Sequence, residues 1–424
     1  MTTALVQIEK PVYGGAFLAR VEGKAVFVPL ALPAEQVRIR ILEDKRGYAT
    51  AEVEELIEAS PQRIVPGCRH FGACGGCNYQ HTSDATQLNF KQAILRETLD
   101  RAGIRAPAEI DVLAGEPWSY RNRIRLAFDA EGNPGYRGRR SHAVVPIREC
   151  PIAAPLLVSA ALTFVQVVRQ AAPNLHPAEI ALFCNADESA LLATVFLPHA
   201  GKIRFDQVAQ SFAERIPALK GMEFQLADRK GQQVRTVAQW GAPSLAYRAA
   251  GFDYRVDHGS FFQVNRWLID ALVERVTGES RGKLAWDLYA GVGLFARKLA
   301  DRFERVVAVE SAPSATKALE QNLSGTRAEA VRAETLDFSR RHSKGERPDL
   351  IVVDPPRTGL GAETSAQLAR IAAPALVYVS CDPATLARDL RALTSSGYAI
   401  DSVTLADLFP QTFHLETLVR LRRA

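Results

Sequence analysis

Hydrophobic and polar positions along the chain fall into three regimes. Over residues 1–58 the apolar residues come in short alternating runs, VEGKAVFVPL, EQVRIRILEDKRGYAT and AEVEELIEAS, punctuated by Gly14, Gly15, Gly23, Pro29, Pro33 and Gly47. Alternation between turn residues predicts strands. Five strands in about 55 residues predict a small β-barrel of oligonucleotide-binding size; the plainer reading is a sheet cap with no ligand. Residues 61–81 have no period and are dense in Gly and Cys. A helix is predicted near 83–103, capped by Ser83 or Asp84, with Leu88, Ala93, Ile94, Leu95 and Leu99 as its apolar face. The second regime starts near 119: YRNRIRLAFD reads as a strand, 155–171 and 205–216 as helices, and ALLATVFL as a strand between them. From 262 onward helix and strand alternate. A helix at 265–278 precedes strand KLAWDLYA, helix GLFARKLADRF, strand RVVAVE, helix PSATKALEQNL and a short strand near AEAVRA. Strand DLIVVD, a helix near 362–372, strand ALVYVS, helix PATLARDLRALTSSG and strands YAIDSVTLADL and ETLVRLRR complete the run. Such alternation predicts an α/β domain with a doubly wound, mostly parallel sheet. The expected organisation is a β-rich domain over 1–58, a central α+β domain over 59–255 and a Rossmann-like domain over 256–424, on which the 83–103 helix packs.

Composition narrows the function classes. The 424 residues include 52 Lys and Arg against 47 Asp and Glu, a net charge of +5. This mildly basic balance permits an anionic partner without requiring one. No run of about 18 apolar residues occurs, so no membrane partner is expected. MTTALVQIEKP lacks a basic and apolar leader, and the expected location is the cytoplasm. In that compartment the clustered cysteines point to a metal centre rather than disulfides.

Six constellations carry chemistry. Asp287-Leu-Tyr-Ala-Gly291-Val-Gly293 ends the first strand of the α/β domain, and Glu310 ends the next, 23 positions after Asp287. Glycines let backbone approach a ligand, and an acid at that spacing suits ribose hydroxyls. The third glycine of the dinucleotide fingerprint is missing, which favours a nucleoside without pyrophosphate, S-adenosylmethionine above all. Asp354-Pro-Pro-Arg357 follows strand LIVV, and its prolines hold a rigid exit. Ser380-Cys381-Asp382-Pro383 places a cysteine on the same rim before a helix, whose N-terminus favours thiolate. Phe413-His414-Leu415-Glu416 opens the last strand; if that strand runs antiparallel at an edge, Glu416 joins the rim as a base beside Cys381. Cys68-x5-Cys74-x2-Cys77 with Cys150-Pro151 suits an iron–sulfur cluster, with structural zinc as the rival. Arg121, Arg123 and Arg125 alternate on a predicted strand, with Tyr120 and Tyr136 nearby, so their guanidinium groups would line one face and contact phosphates while bases stack, the alternative being a solvated charged face.

Together with Phe261-Phe262-Gln263-Val264-Asn265, these motifs closely resemble the RNA 5-methyluridine methyltransferases, in particular the 23S rRNA (uracil-5-)-methyltransferases with an N-terminal TRAM domain. The resemblance spans nearly the whole chain. It implies a TRAM domain over 1–58, a [4Fe–4S] cluster on Cys68, Cys74, Cys77 and Cys150, and S-adenosylmethionine as donor. It also implies donor binding by Gln263, Tyr289, Glu310 and Asp354. The family's further contact, commonly Asn, falls on Leu294, so that contact is lost or made by backbone. Cys381 is implied as nucleophile and Glu416 as base, with Phe261 stacking on the target uracil. The implied partner is RNA, 23S rRNA in preference to tRNA, with no DNA and with the chain a monomer. Adenine amino-methylation is disfavoured because Arg357 replaces the aromatic residue of that motif. An inert RNA-binding or redox-sensing homologue would need a disrupted donor pocket.

Overall fold

The structure is a computed structural model and describes residues 2–199, 203–227 and 234–423. Six strands form the N-terminal sheet: β1 (Thr3–Gln7), β2 (Lys10–Val12), β3 (Ala16–Val21), β4 (Lys24–Pro29), β5 (Gln36–Asp44) and β6 (Tyr48–Glu58). They pair in the order β1-β5-β6-β4-β3-β2. The five strands expected are therefore six, because Ile8 and Glu9 break the first apolar run and Lys10–Val12 pairs separately with β3. Phe17, Val26, Val28, Val37 and Ile39 fill the interior.

Helix α1 (Asp84–Arg101) is capped by Ser83, whose side chain accepts from the Thr86 amide. Its packed face keeps the predicted Ile94, Leu95 and Leu99, with Leu88 partly buried, but Ala93 is exposed and Phe90 and Lys91 are buried as well. Phe90 joins the N-terminal core, while Ile94, Leu95 and Leu99 join the core of the C-terminal domain. One helix thus bridges two cores. The short strand β7 (Asp111–Leu113) follows.

The central sheet comprises β8 (Arg123–Phe128), β9 (Pro134–Arg137), β10 (Val144–Pro146), β11 (Glu179–Cys184), β12 (Leu191–Leu197), β13 (Leu219–Ala227) and β14 (Val234–Gly241). Helices α2 (Pro155–Ala171) and α3 (Phe205–Arg215) cover one face. The hairpin β15 (Ser244–Ala249) and β16 (Phe252–Asp257) packs into the C-terminal core through Leu245, Tyr254 and Val256. A boundary at residue 255 would cut β16.

The C-terminal elements are α4 (Ile269–Thr277), β17 (Gly282–Leu288), α5 (Leu294–Leu299), β18 (Phe303–Glu310), α6 (Pro313–Leu323), β19 (Ala328–Arg332), α7 (Thr335–His342), β20 (Leu350–Val353), α8 (Gly361–Ile371), β21 (Ala375–Ser380), α9 (Pro383–Ser395), β22 (Tyr398–Ala406) and β23 (Glu416–Arg423). The eight-stranded order is β19-β18-β17-β20-β21-β23-β22-β7. Successive strand residues serve opposite cores. Ala285, Val352 and Val377 face α4–α6, and Trp286, Ile351 and Tyr378 face α8, α9 and α1. Strand β23 is antiparallel to both neighbours and lies inside the sheet, not at its edge. Helix α7 and strand β7 are additions to the predicted run. Among the described residues no helix is long and apolar enough to cross a membrane.

Candidate active site

The rim at the carboxyl ends of the parallel strands gathers the residues singled out above. After β17 the chain turns through Tyr289, Gly291 and Gly293, all with positive φ, into α5. A Cβ at Gly293 would lie 2.7 Å from Leu319 Cδ1, whereas one at Gly291 would meet nothing within 4 Å. The first glycine therefore keeps an open face and the second allows close packing. Glu310, ending β18, accepts from the Gly291 amide (2.9 Å) and the Ala312 amide (2.8 Å), which fixes its carboxylate over the glycine turn. Gln263 is buried between domains: its carbonyl accepts from Asn122 Nδ2 at 2.9 Å, and its Nε2 reaches Asp354 Oδ2 at 3.5 Å. Tyr289 is half-buried beside Gly291. Leu294 does not offer a side chain to this rim. It lies in the apolar core and its carbonyl accepts from Tyr254 Oη at 3.1 Å.

Beneath the turn, Asp287 is buried, with Oδ2 accepting from the Ala296 amide at 2.8 Å and Oδ1 unpartnered. Burial first, and then the charges of Asp354 and Glu310, push its carboxyl up to about 8.

Cys381 and Glu416 are brought together by strand register. Ser380 of β21 lies opposite Thr417 of β23, so the next residue of one strand and the preceding residue of the other are neighbours. Asp354, at the end of β20, completes the group. Burial pushes the Cys381 thiol up to about 12, reinforced by the Glu416 and Asp354 charges and opposed by Arg357. Glu416 is held well above its ordinary range by burial and by Asp354, and burial pushes Asp354 up to about 7. Three acids in one desolvated pocket cannot all ionise together, so protons are shared among them.

The expected helix stabilisation of a Cys381 thiolate is absent. Pro383 has no amide proton, and Asp382 Oδ1 takes the Ala384 and Thr385 amides at 3.0 and 2.9 Å. This environment favours the thiol over the thiolate. Arg357 sits near Cys381 and Glu416 and donates from Nη2 to His414 Nδ1 at 3.3 Å. Burial and that guanidinium push His414 down to about 4, leaving a neutral ring able to accept. Phe261 is 64% exposed beside the buried Phe262.

The three arginines do not share one face. Strand β8 starts at Arg123, and Arg121 instead bridges Ala153 and Asn265. The amides of Arg121 and Asn122 bond to the Ile152 and Val264 carbonyls, which pulls residue 121 out of the strand's alternation. Its side chain lines the cysteine pocket. Arg123 and Arg125 line a groove with Phe183, Phe196 and His258, their guanidinium groups 4.4 and 4.2 Å from the Phe183 and Phe196 ring centres. Arg125 pairs with Glu179 at 2.5 Å, whereas among the described residues Arg123 donates to the Ser260 carbonyl and to no acid. Arg123 Nε, His258 Nε2 and Ser260 Oγ are sealed from solvent without partners.

Cys68, Cys74, Cys77 and Cys150 line a single pocket as free thiols, with Arg121 and Tyr136. Burial raises the pKa of each. Among the described residues no three His, Cys, Asp or Glu side chains are grouped to hold a metal ion. The four thiols share one half-buried pocket.

Sequence reasoning missed Tyr13. From the turn between β2 and β3 its hydroxyl donates to the Cys381 carbonyl at 3.3 Å. The glycine pair after it marks a turn, but no local signal says which domain that turn meets.

Residues 84–424 match the family model for tRNA (uracil-5-)-methyltransferase, and residues 2–53 match that for the TRAM domain. The chain is 33% identical to an uncharacterized RNA methyltransferase of Streptomyces avermitilis, covering 99% of this chain and 98% of that one. It is 32% identical to the 23S rRNA (uracil(1939)-C(5))-methyltransferase RlmD of Halomonas elongata, over 96% of this chain and 87% of that one. The crystal structure of Pyrococcus abyssi tRNA (uracil-54, C5)-methyltransferase in complex with S-adenosyl-L-homocysteine has the same fold. Its TM-score is 0.80 at 24% identity, with 98% of this chain and 99% of that one covered. With its TRAM domain and α/β methyltransferase domain, the chain belongs to the RNA (uracil-5-)-methyltransferase family and is an S-adenosylmethionine-dependent enzyme.

Proposed function

We propose that this enzyme methylates carbon 5 of a uridine in 23S rRNA through a covalent adduct on Cys381. The observation that carries the reading is the placement of Cys381 beside Glu416, with Asp354 at the adjoining strand end. Carbon 5 of uracil is a weak nucleophile until carbon 6 is attacked. The Cys381 thiol gives its proton to the Asp354 carboxylate as Sγ bonds to carbon 6, leaving Glu416 ionised, and the displaced pair forms an enolate; Asp354 returns the proton when Sγ later leaves. Carbon 5 then takes the methyl group from the sulfonium, whose sulfur–methyl bond breaks. Glu416, as carboxylate, removes the carbon 5 proton; that pair restores the ring double bond and Sγ leaves. Gln263, Tyr289, Glu310 and Asp354 hold the donor, with Leu294 contributing only backbone. Phe261 stacks on the extruded base. Relatives named as 23S rRNA methyltransferases at about this identity over most of the chain favour rRNA over tRNA.

Cys68, Cys74, Cys77 and Cys150 would hold a [4Fe–4S] cluster, supplying the four thiolates such a group takes. The cluster takes no part in the steps above. The expected test result for the mechanism is that Cys381→Ala abolishes methyl transfer while S-adenosylhomocysteine still binds with unchanged affinity by calorimetry. Turnover retained in that variant would remove the covalent route.

A further inference from the structure

Between β22 and β23 the chain makes a long connection, residues 407–415, before reaching Glu416. Two neighbouring antiparallel strands can be joined by as few as two residues, so this length serves something other than closure. In its middle, Gln411 adopts φ +68°, a left-handed conformation that a residue with a side chain keeps only where its surroundings over-determine it.

Those surroundings engage every polar group of Gln411. Its amide donates to Gln87 Oε1 at 2.8 Å, and Gln87 Nε2 returns a bond to Gln411 Oε1 at 2.9 Å. Its Nε2 donates to Asp84 Oδ1 at 2.7 Å. Its carbonyl accepts from the Asn78 and Tyr79 amides at 2.9 and 3.1 Å. The flanking residues are tied likewise. Lys91, fully buried, donates to Asp407 Oδ1 at 2.6 Å and to the Phe409 carbonyl at 2.9 Å. Tyr120 Oη donates to the Pro410 carbonyl at 3.1 Å, and the Phe413 amide to Asn78 Oδ1 at 3.3 Å. Tyr13, which bonds the Cys381 carbonyl, meets the Phe413 ring edge-on at 5.7 Å. Apart from Tyr120 these partners come from α1, from the end of the cysteine-bearing loop and from the N-terminal domain.

We infer that Gln411 is a positioning residue for Glu416: through it, α1 and the Asn78–Tyr79 segment fix the connection that delivers the base to the carbon 5 proton. This rests on the reading of Glu416 as that base. Misplacing a catalytic group by about 1 Å can cost about 100-fold in rate, and among the residues of this connection Gln411 carries the largest set of bonds to α1 and the Asn78–Tyr79 segment.

The test separates formation of the RNA adduct from its release, in the full-length enzyme with S-adenosylmethionine and uridine-containing substrate RNA. Gln411→Ala should lower kcat about 10-fold or more and raise the fraction of enzyme held as denaturant-stable methylated adduct. The rate of adduct formation on 5-fluorouridine RNA and S-adenosylhomocysteine affinity should stay within twofold. Asn78→Ala, which deletes only the bond to the Phe413 amide, guards against misfolding and should shift the same ratio in the same direction by a smaller factor. Turnover within twofold of the wild type in both variants, or formation and release slowed equally, overturns the inference. Glu416→Gln is the control. If it fails to accumulate adduct, the assignment of the base is what has failed; if it accumulates adduct while Gln411→Ala does not, the clamp has failed.

Discussion

Asp287 shows how one side chain can be legible in chemical type and illegible in state. Its place before Gly291 and Gly293 marks it in the sequence as part of a donor turn, yet nothing local announces that it is buried with one oxygen unpartnered. Its carboxyl is pushed up to about 8 by burial, whereas in the unfolded chain it titrates at the ordinary value of about 3.9. Between those values the folded state binds the extra proton, so stability conferred by this group is present at low pH and is lost as pH rises toward 8. Asp287→Asn keeps an oxygen for the Ala296 amide and removes the ionisation. The variant should melt with the wild type near pH 4 and a few degrees above it at pH 9. Parallel melting curves across that range would show that Asp287 ionises freely. The same gap between type and state applies to Cys381. Its position beside a helix start suggests a thiolate, but Asp382 and Pro383 close that helix end, and burial, reinforced by the neighbouring acids, raises the thiol instead.

At the scale of elements, periodicity located nearly every strand and helix of the C-terminal domain, because buried parallel strands such as LIVV are long apolar runs. It missed α7, where TLDFSRRH spans only two turns, and β7, whose three residues become a strand only by pairing with β22. It placed three arginines on one strand, but the backbone bonds of Arg121 and Asn122 to other segments set where β8 begins. What remains is a groove in which Arg123 has no acidic partner among the described residues and stacks on Phe183. A desolvated guanidinium without a counter-charge is costly unless an anion joins it, and an RNA phosphate would supply one. Arg123→Gln should therefore weaken RNA binding and flatten its log–log salt dependence by about 0.7–0.9. Arg123→Lys should restore the slope. A weakened affinity with the wild-type slope would make Arg123 a structural residue only.

Across the whole molecule the candidate active site is not the property of one domain. Tyr13 reaches Cys381 from the N-terminal sheet, α1 is shared between two cores, and β7 extends the catalytic sheet. These long-range docking contacts leave no periodic trace, so the sequence shows the pieces and hides their joints. The cysteine pocket is such a joint, since Asn78 follows Cys77 directly and grips the connection to Glu416. Protein purified without oxygen should be brown and contain about four irons per chain; colourless protein with a single zinc would replace the cluster with the rival metal. The covalent route itself is tested most directly by trapping. Incubating enzyme and S-adenosylmethionine with 5-fluorouridine-substituted 23S rRNA fragments, and with tRNA in parallel, should give a denaturant-stable adduct on the rRNA that disappears in Cys381→Ala. An adduct on tRNA alone would move the substrate, and an adduct that survives Cys381→Ala, or methylation of uridine with none trapped, would contradict the mechanism.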